Sequence, residues 1–140
     1  MIVAIAGPIG VGKSTVARDL AARAPAAVAD YAARLKARIT DLLGAAPVDE
    51  ARLAAEIVIY AERSDVAEEL TRLRSHVDQF RADLATSNGA IGRKLEFLLQ
   101  EMGREANTIG AKANDVDIAR AVVAMKGELE SLREQVQNIE

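Results

Sequence analysis

Apolar side chains recur three and four residues apart along most of this sequence, the spacing that collects them on one face of an α-helix. Val66, Leu70, Leu73, Val77, Phe80 and Leu84 form one such seam and predict a helix over about Asp65–Ala85, with Ser64 as its N-cap. Leu95, Leu99, Met102, Ala106 and Ile109 predict a second helix from Gly92 to about Lys112, after a turn at Thr86–Ile91. Ile118, Val122, Met125, Leu129, Leu132, Val136 and Ile139 predict a third, capped by Asn114 and running to the C-terminus. Upstream, Tyr31, Leu35, Ile39 and Leu42 mark a helix that stops at Gly44. Ala45–Val48, holding Pro47, is a linker, and Asp49 caps a helix through about Arg63.

The first thirty residues follow another pattern. Ile2–Ala6 is a short, apolar, β-branched run and predicts a buried strand, Gly7–Gly12 a glycine loop, and Ser14–Arg23 a helix. Ala24–Asp30 is Ala-rich, holds Pro25 and marks a junction. The expected fold is therefore mainly α. Long helices joined by short connections pair antiparallel in a bundle or in hairpins, with a short N-terminal strand–P-loop–helix appendage. The division is an appendage over 1–24, a junction over 25–30 and a helical domain over 31–140.

Composition narrows the choices. The 140-residue chain is 50% apolar but only 3% aromatic, which suits a core of closely packed Ala, Leu, Val and Ile. It has no cysteine, which removes disulfides, thiolate metal sites and a cysteine nucleophile, and is compatible with a reducing cytoplasm. The formal net charge is −3, so bulk electrostatics do not announce nucleic-acid binding. No apolar run approaches the roughly 20 residues of a membrane span, and Met1–Ala6 lacks the basic leader of a signal peptide.

Two stretches carry candidate chemistry. Gly7-Pro8-Ile9-Gly10-Val11-Gly12-Lys13-Ser14 fits the phosphate-binding P-loop pattern. Gly7, Gly10 and Gly12 let backbone N–H groups curl around phosphates, Lys13 reaches the β/γ-phosphates, and Ser14, followed by Thr15, offers a hydroxyl to Mg²⁺. MIVAIAGPIGVGKSTVARDLA looks like the opening of a nucleoside-phosphate or adenylate-type kinase, which implies ATP with Mg²⁺ as ligand. The other strands and the Walker B carboxylate of such a fold are not found, since Ile57–Tyr60 sits inside a helical pattern. The segment reads as a truncated fragment.

The second stretch is Gly92–Asp115, which crowds amides, carboxylates and guanidinium groups onto one helix. Asp65, Glu69, Arg72 and His76 form a stripe one residue before the seam of their helix; Lys94, Leu98, Glu101, Glu105 and Thr108 hold the equivalent place on the next. Folding about the Asn88 turn sets His76, the only histidine, opposite Met102 and hence close to Glu101 and Glu105. That set suits Mg²⁺ or Mn²⁺, or acid–base work on a 2′-hydroxyl or a water; interhelical salt bridges are the other reading. Two carboxylates one turn apart need a cation between them, an arginine or a metal. Arg93, Lys94 and Arg104 suit phosphate, and Gln100 and Asn107 suit base edges or an oriented water. Arg72 and Arg74 serve the same backbone or neutralise Glu69. Phe80 and Phe97 sit on helical faces, so no aromatic stacking platform is expected. The C-terminal heptads serve as core or as an oligomer contact.

AERSDVAEELTRLRSHVDQF (Ala61–Phe80), GRKLEFLLQEMGREANTIGAKAND (Gly92–Asp115) and LREQVQNIE (Leu132–Glu140) resemble the C-terminal helical domain of the YicC/YloC bacterial endoribonucleases, over about Tyr31–Glu140. That family usually has Asp where Glu96 stands, Asn where Gly103 stands and Ser where Ala111 stands. Its members carry a long N-terminal domain where this sequence has the P-loop segment. The resemblance implies a metal-dependent, RNA-cleaving, hexameric protein of the cytoplasm. The implied activity is endoribonucleolytic, with His76, Glu101 and Glu105 as catalytic or Mn²⁺/Mg²⁺-binding groups and Arg72, Arg93 and Arg104 as the phosphate clamp. The alternatives are a non-catalytic helical module that oligomerises or binds RNA, and a nucleotide-binding fragment.

Overall fold

The structure, a computed structural model, describes residues 2–86 and 91–138, with the backbone alone described over 2–17. Five helices follow in order: α1 (Ile2–Leu43), α2 (Glu50–Arg63), α3 (Ala67–Thr86), α4 (Gly92–Lys112) and α5 (Val116–Gln137). No strand occurs among the described residues. The strand expected at Ile2–Ala6 and the loop expected at Gly7–Gly12 are instead part of α1. A lone strand has no neighbour for its backbone N–H and C=O groups, whereas a helix pairs them internally. The side chains of Gly7, Gly10, Gly12, Lys13, Ser14 and Thr15, where nucleotide binding is expected, lie outside the described residues.

Helix α1 also runs without a break through Ala24–Asp30. Alanines at 21, 22, 24, 26, 27 and 29 favour helix strongly enough to carry it past Pro25, which lacks the N–H that would bond one turn back.

The heptad seams account for the core. α3 packs on α4, α4 on α5, and α1 against both α5 and α3, which closes a ring of four helices. The described seam residues of α3, α4 and α5 are all buried, from Val66 to Leu84, Leu95 to Ile109, and Ile118 to Val136. The α5 heptads are thus core within one chain. Ile139 lies outside the described residues, as does most of the turn after Thr86. Leu20 and Ala27 bring α1 into the same core.

α2 folds back along the later part of α1, outside the ring. Tyr31 and Tyr60 stack at 3.7 Å between ring centroids, and Lys36 Nζ meets Glu50 Oε1 at 3.1 Å. Leu53 is the buried residue of α2, while Leu42, Leu43, Val58 and Ile59 are exposed. The Tyr31–Leu42 pattern is therefore a half-covered face.

Side-chain caps fix the helix ends. Asp49 accepts from the Arg52 N–H at 3.1 Å, as expected. Gly44 takes φ +58° and stops α1, a conformation costly for a residue with a Cβ. Two expected caps belong to the adjacent residue. Ser64 closes α2, its Oγ donating to the Tyr60 carbonyl at 2.7 Å, while Asp65 accepts from the Ala67 N–H at 2.9 Å. Asp115 caps α5 in place of Asn114, accepting from Asp117 N–H at 3.0 Å and Ile118 N–H at 3.1 Å. A carboxylate at a helix N-terminus also meets the positive end of the dipole.

A continuous α1 makes Pro25→Ala stabilising, because the substitution restores a backbone hydrogen bond at an exposed position. The expected gain is about 1–3 kcal/mol in urea unfolding; an unchanged midpoint would mean that the helix breaks at Pro25.

Candidate functional site

The flanks of the α3–α4 seam are laced by charge. Arg72 Nε donates to Glu105 Oε1 at 2.8 Å and its Nη2 to Glu69 Oε1 at 3.3 Å. Lys112 Nζ reaches the same Glu69 oxygen at 2.8 Å and the Asp65 carbonyl at 3.1 Å. Towards the other end, Lys94 Nζ meets Asp83 Oδ1 at 2.6 Å, and Gln79 donates to the same oxygen at 2.9 Å. Steps of seven and eleven residues along α3, from Asp65 to Arg72 to Asp83, match equal steps back along α4, from Lys112 to Glu105 to Lys94. One register therefore holds for the whole pair, and it sets His76 level with Glu101.

Glu69, Asp83 and Glu105 are buried although charged. The second oxygens of Glu69 and Asp83 are buried without a hydrogen-bond partner among the described residues, so each carboxylate depends on the cation at its first oxygen. Burial pushes the Glu69 carboxyl up, but the Lys112 hydrogen bond and the nearby Arg72 together hold it below the usual carboxylate range. The Lys94 ammonium does the same for Asp83. Burial likewise opposes ionisation of Asp115, and is outweighed by the Arg23 guanidinium, whose Nη2 lies 2.6 Å from Oδ2, together with the α5 backbone N–H groups. That bridge ties α1 to the α4–α5 connection.

The structure brings some of the expected site residues together. Arg72 and Glu105 are bonded, and Lys94 belongs to the same ladder. Glu101 pairs along its own helix with Arg104 at 2.6 Å. Each of the two neighbouring carboxylates has its own arginine, Arg104 for Glu101 and Arg72 for Glu105. His76 is half-buried. Among the described residues, no three His, Asp or Glu side chains are arranged to hold a metal ion. Arg93 is exposed.

Gln100, Arg104 and Asn107 lie on the opposite flank of α4 and line a groove of about 270 Å³ against α5, where Lys126 and Arg133 join them. Arg104 belongs to both regions, as a wall of this groove and as the partner of Glu101. Sequence reasoning missed Arg133, Lys112, Asp83 and Arg23, whose partners lie on other helices or in the connections between them, and Lys126, which lines the groove from α5. It also placed Phe97 with Phe80 on helical faces; Phe80 is 1% exposed, whereas Phe97 is 57% exposed on the outer side of α4. None of the described helices is long and apolar enough to cross a membrane.

A family profile described as "Endoribonuclease YicC-like, C-terminal" matches residues 20–140, starting where Leu20 enters the core. The chain is 48% identical over 114 residues to a "Probable endoribonuclease YicC" of Clostridioides difficile (strain 630), a match covering 81% of this chain and 39% of the relative. It is 43% identical over 93 residues to the protein of that name from Haemophilus influenzae, covering 66% of this chain and 32% of the relative. The chain thus spans about a third to two fifths of the length of these curated relatives.

The ladder predicts a signed pH dependence. Because the folded-state values of Glu69, Asp83 and Asp115 are depressed, their contribution is present above the unfolded values of about 4 and is lost as pH falls through the folded ones. Removing the Lys112 cation as Lys112→Met costs about 1–2 kcal/mol at pH 7, the buried-pair penalty discounted for a partly exposed lysine. In urea melts this deficit is largest near neutrality and closes below about pH 4; a deficit independent of pH would mean that Glu69 does not rely on Lys112.

Proposed function

The chain belongs to the YicC-like endoribonuclease family, and from that premise we propose that it forms the helical part of an RNA-cleaving enzyme, a hydrolase acting on RNA phosphodiester bonds. The observation that carries the assignment to residues is the outer side of α4. There Glu101 holds Arg104, His76 stands level with Glu101, and Arg104 opens onto a groove of further cations and amides.

Imidazole is the side chain best suited to exchanging a proton near neutral pH. In this reading His76 takes the proton from the attacking 2′-hydroxyl or water as its oxygen bonds to phosphorus, and returns that proton to the 5′-oxygen whose bond to phosphorus breaks, while Glu101 positions the groups beside it. Arg104 meets the phosphate, where a guanidinium offers two parallel N–H donors to two oxygens. Arg72 keeps the α3 flank in register, and exposed Arg93 and Lys94 extend the contact to the RNA backbone.

The metal dependence implied by the resemblance does not fit this donor set. Glu105 is committed to Arg72 and Glu101 to Arg104, so the chemistry proposed uses only the chain's own groups. The same commitment favours a second reading, a helical module that binds RNA without cutting it, because one imidazole then bears all the proton transfer. A cytoplasmic location and self-association belong to the same proposal, the second to be read by light scattering.

Incubation with structured RNA, with and without Mn²⁺, tests these readings. His76→Ala and Glu101→Ala are expected to slow cleavage about 10²- to 10⁴-fold. Cleavage at the wild-type rate by both variants removes the centre, and RNA that the wild type binds but leaves intact establishes the non-catalytic module.

A further inference from the structure

The groove between α4 and α5 has a layered chemistry. Its floor is apolar, made by Leu99 and Leu129, which are 4% and 6% exposed. On the α4 wall stand the amides of Gln100 and Asn107, both exposed and without a hydrogen bond to protein among the described residues. Three cations stand around it. Arg104 is held by Glu101, and Arg133 reaches Glu96 at 3.5 Å. Lys126 makes no ion pair among the described residues. One carboxylate, Glu130, lines the same groove. The groove lining thus carries three cations and one carboxylate, two of the cations being paired with Glu101 and Glu96 just outside it, on a chain whose formal net charge is −3.

Gly103 lines the groove on the α4 side. A Cβ built at Gly103 meets nothing within 4 Å. Glycine weakens an exposed helix relative to alanine, and no close approach of another element to Gly103 requires it. Its effect is to leave room above Leu99 and Leu129.

We propose that this groove binds one unpaired nucleotide of an RNA strand. The base lies on the Leu99–Leu129 floor beneath the space left by Gly103, its polar edge faces Gln100 and Asn107, and the adjoining phosphate is met by Lys126, Arg104 and Arg133. A duplex does not fit this arrangement, because paired bases cannot present a free face and a free edge together. The inference deepens the RNA reading above, on which it rests. It adds the α5 residues Lys126 and Arg133 to the contact and makes single-stranded segments the substrate class.

Gly103→Leu and Lys126→Glu separate this from a folding defect. The first fills the groove while improving helix propensity, so that variant unfolds at the same temperature as wild type or higher. The second reverses the charge of an exposed side chain. With a fluorescently labelled single-stranded oligoribonucleotide of about ten bases, both are expected to weaken binding about tenfold or more, while affinity for an RNA duplex of equal length stays as in wild type. In the wild type, the side-chain amide NMR signals of Gln100 and Asn107 shift on titration with the single strand. Wild-type affinity in both variants, with those signals unmoved, overturns the groove and leaves the cleavage reading standing. Single-strand binding that depends on Gly103 and Lys126 but yields no cleavage overturns the cleavage reading and leaves the groove. Absence of any RNA binding by the wild type overturns both.

Discussion

A hydrophobic seam holds two helices together but discriminates poorly among alignments displaced by a full heptad, since one apolar side chain replaces another. Buried carboxylates do discriminate. Glu69, Asp83 and Glu105 have left water, and each has a cation at one position on the facing helix or one turn away. Sliding α3 along α4 would strand these charges, which costs far more than the paired state gains. The ladder is therefore best understood as a device for register, and the level relation of His76 to Glu101 follows from it.

That register gives α4 its double role. Its seam side faces the core, one flank is charge-matched to α3, and the other leaves amides and cations beside α5. Arg104 crosses between the two, held by Glu101 and open to the groove. The groove proposed to take RNA thus grows out of the packing, with rigid helices rather than loops carrying the polar groups. The cations matter more for their placement than for their number, because the chain as a whole is slightly acidic.

Much of this was legible from spacing alone. The α3, α4 and α5 seams, the Asp49 cap and the Gly44 stop follow from periodicity and helix-end chemistry. The caps at Ser64 and Asn114 fell to Asp65 and Asp115 because both neighbours can cap, and only the direction in which the chain leaves the preceding helix decides between them. The burial of Glu69 and Asp83 was not legible, because a charged flank shows its burial only once its partner, Lys112 or Lys94, is known. A β-branched run before a glycine loop resembled a strand locally, but strand formation needs partners elsewhere in the chain. The groove was half visible: Gln100, Arg104 and Asn107 stood out by type, whereas Lys126 and Arg133 looked like ordinary positions on a heptad helix.

The α1–α2 hairpin stands apart from this economy. It is fastened by one tyrosine stack, one exposed ion pair and the single buried side chain Leu53. With so little buried, it is a unit of low local stability: its backbone amides open to exchange with solvent while those of the four-helix ring remain closed. Because the ladder joins only α3 and α4, such opening leaves the charged flank of α4 undisturbed. The protein can therefore fray at one end without losing the alignment at the other.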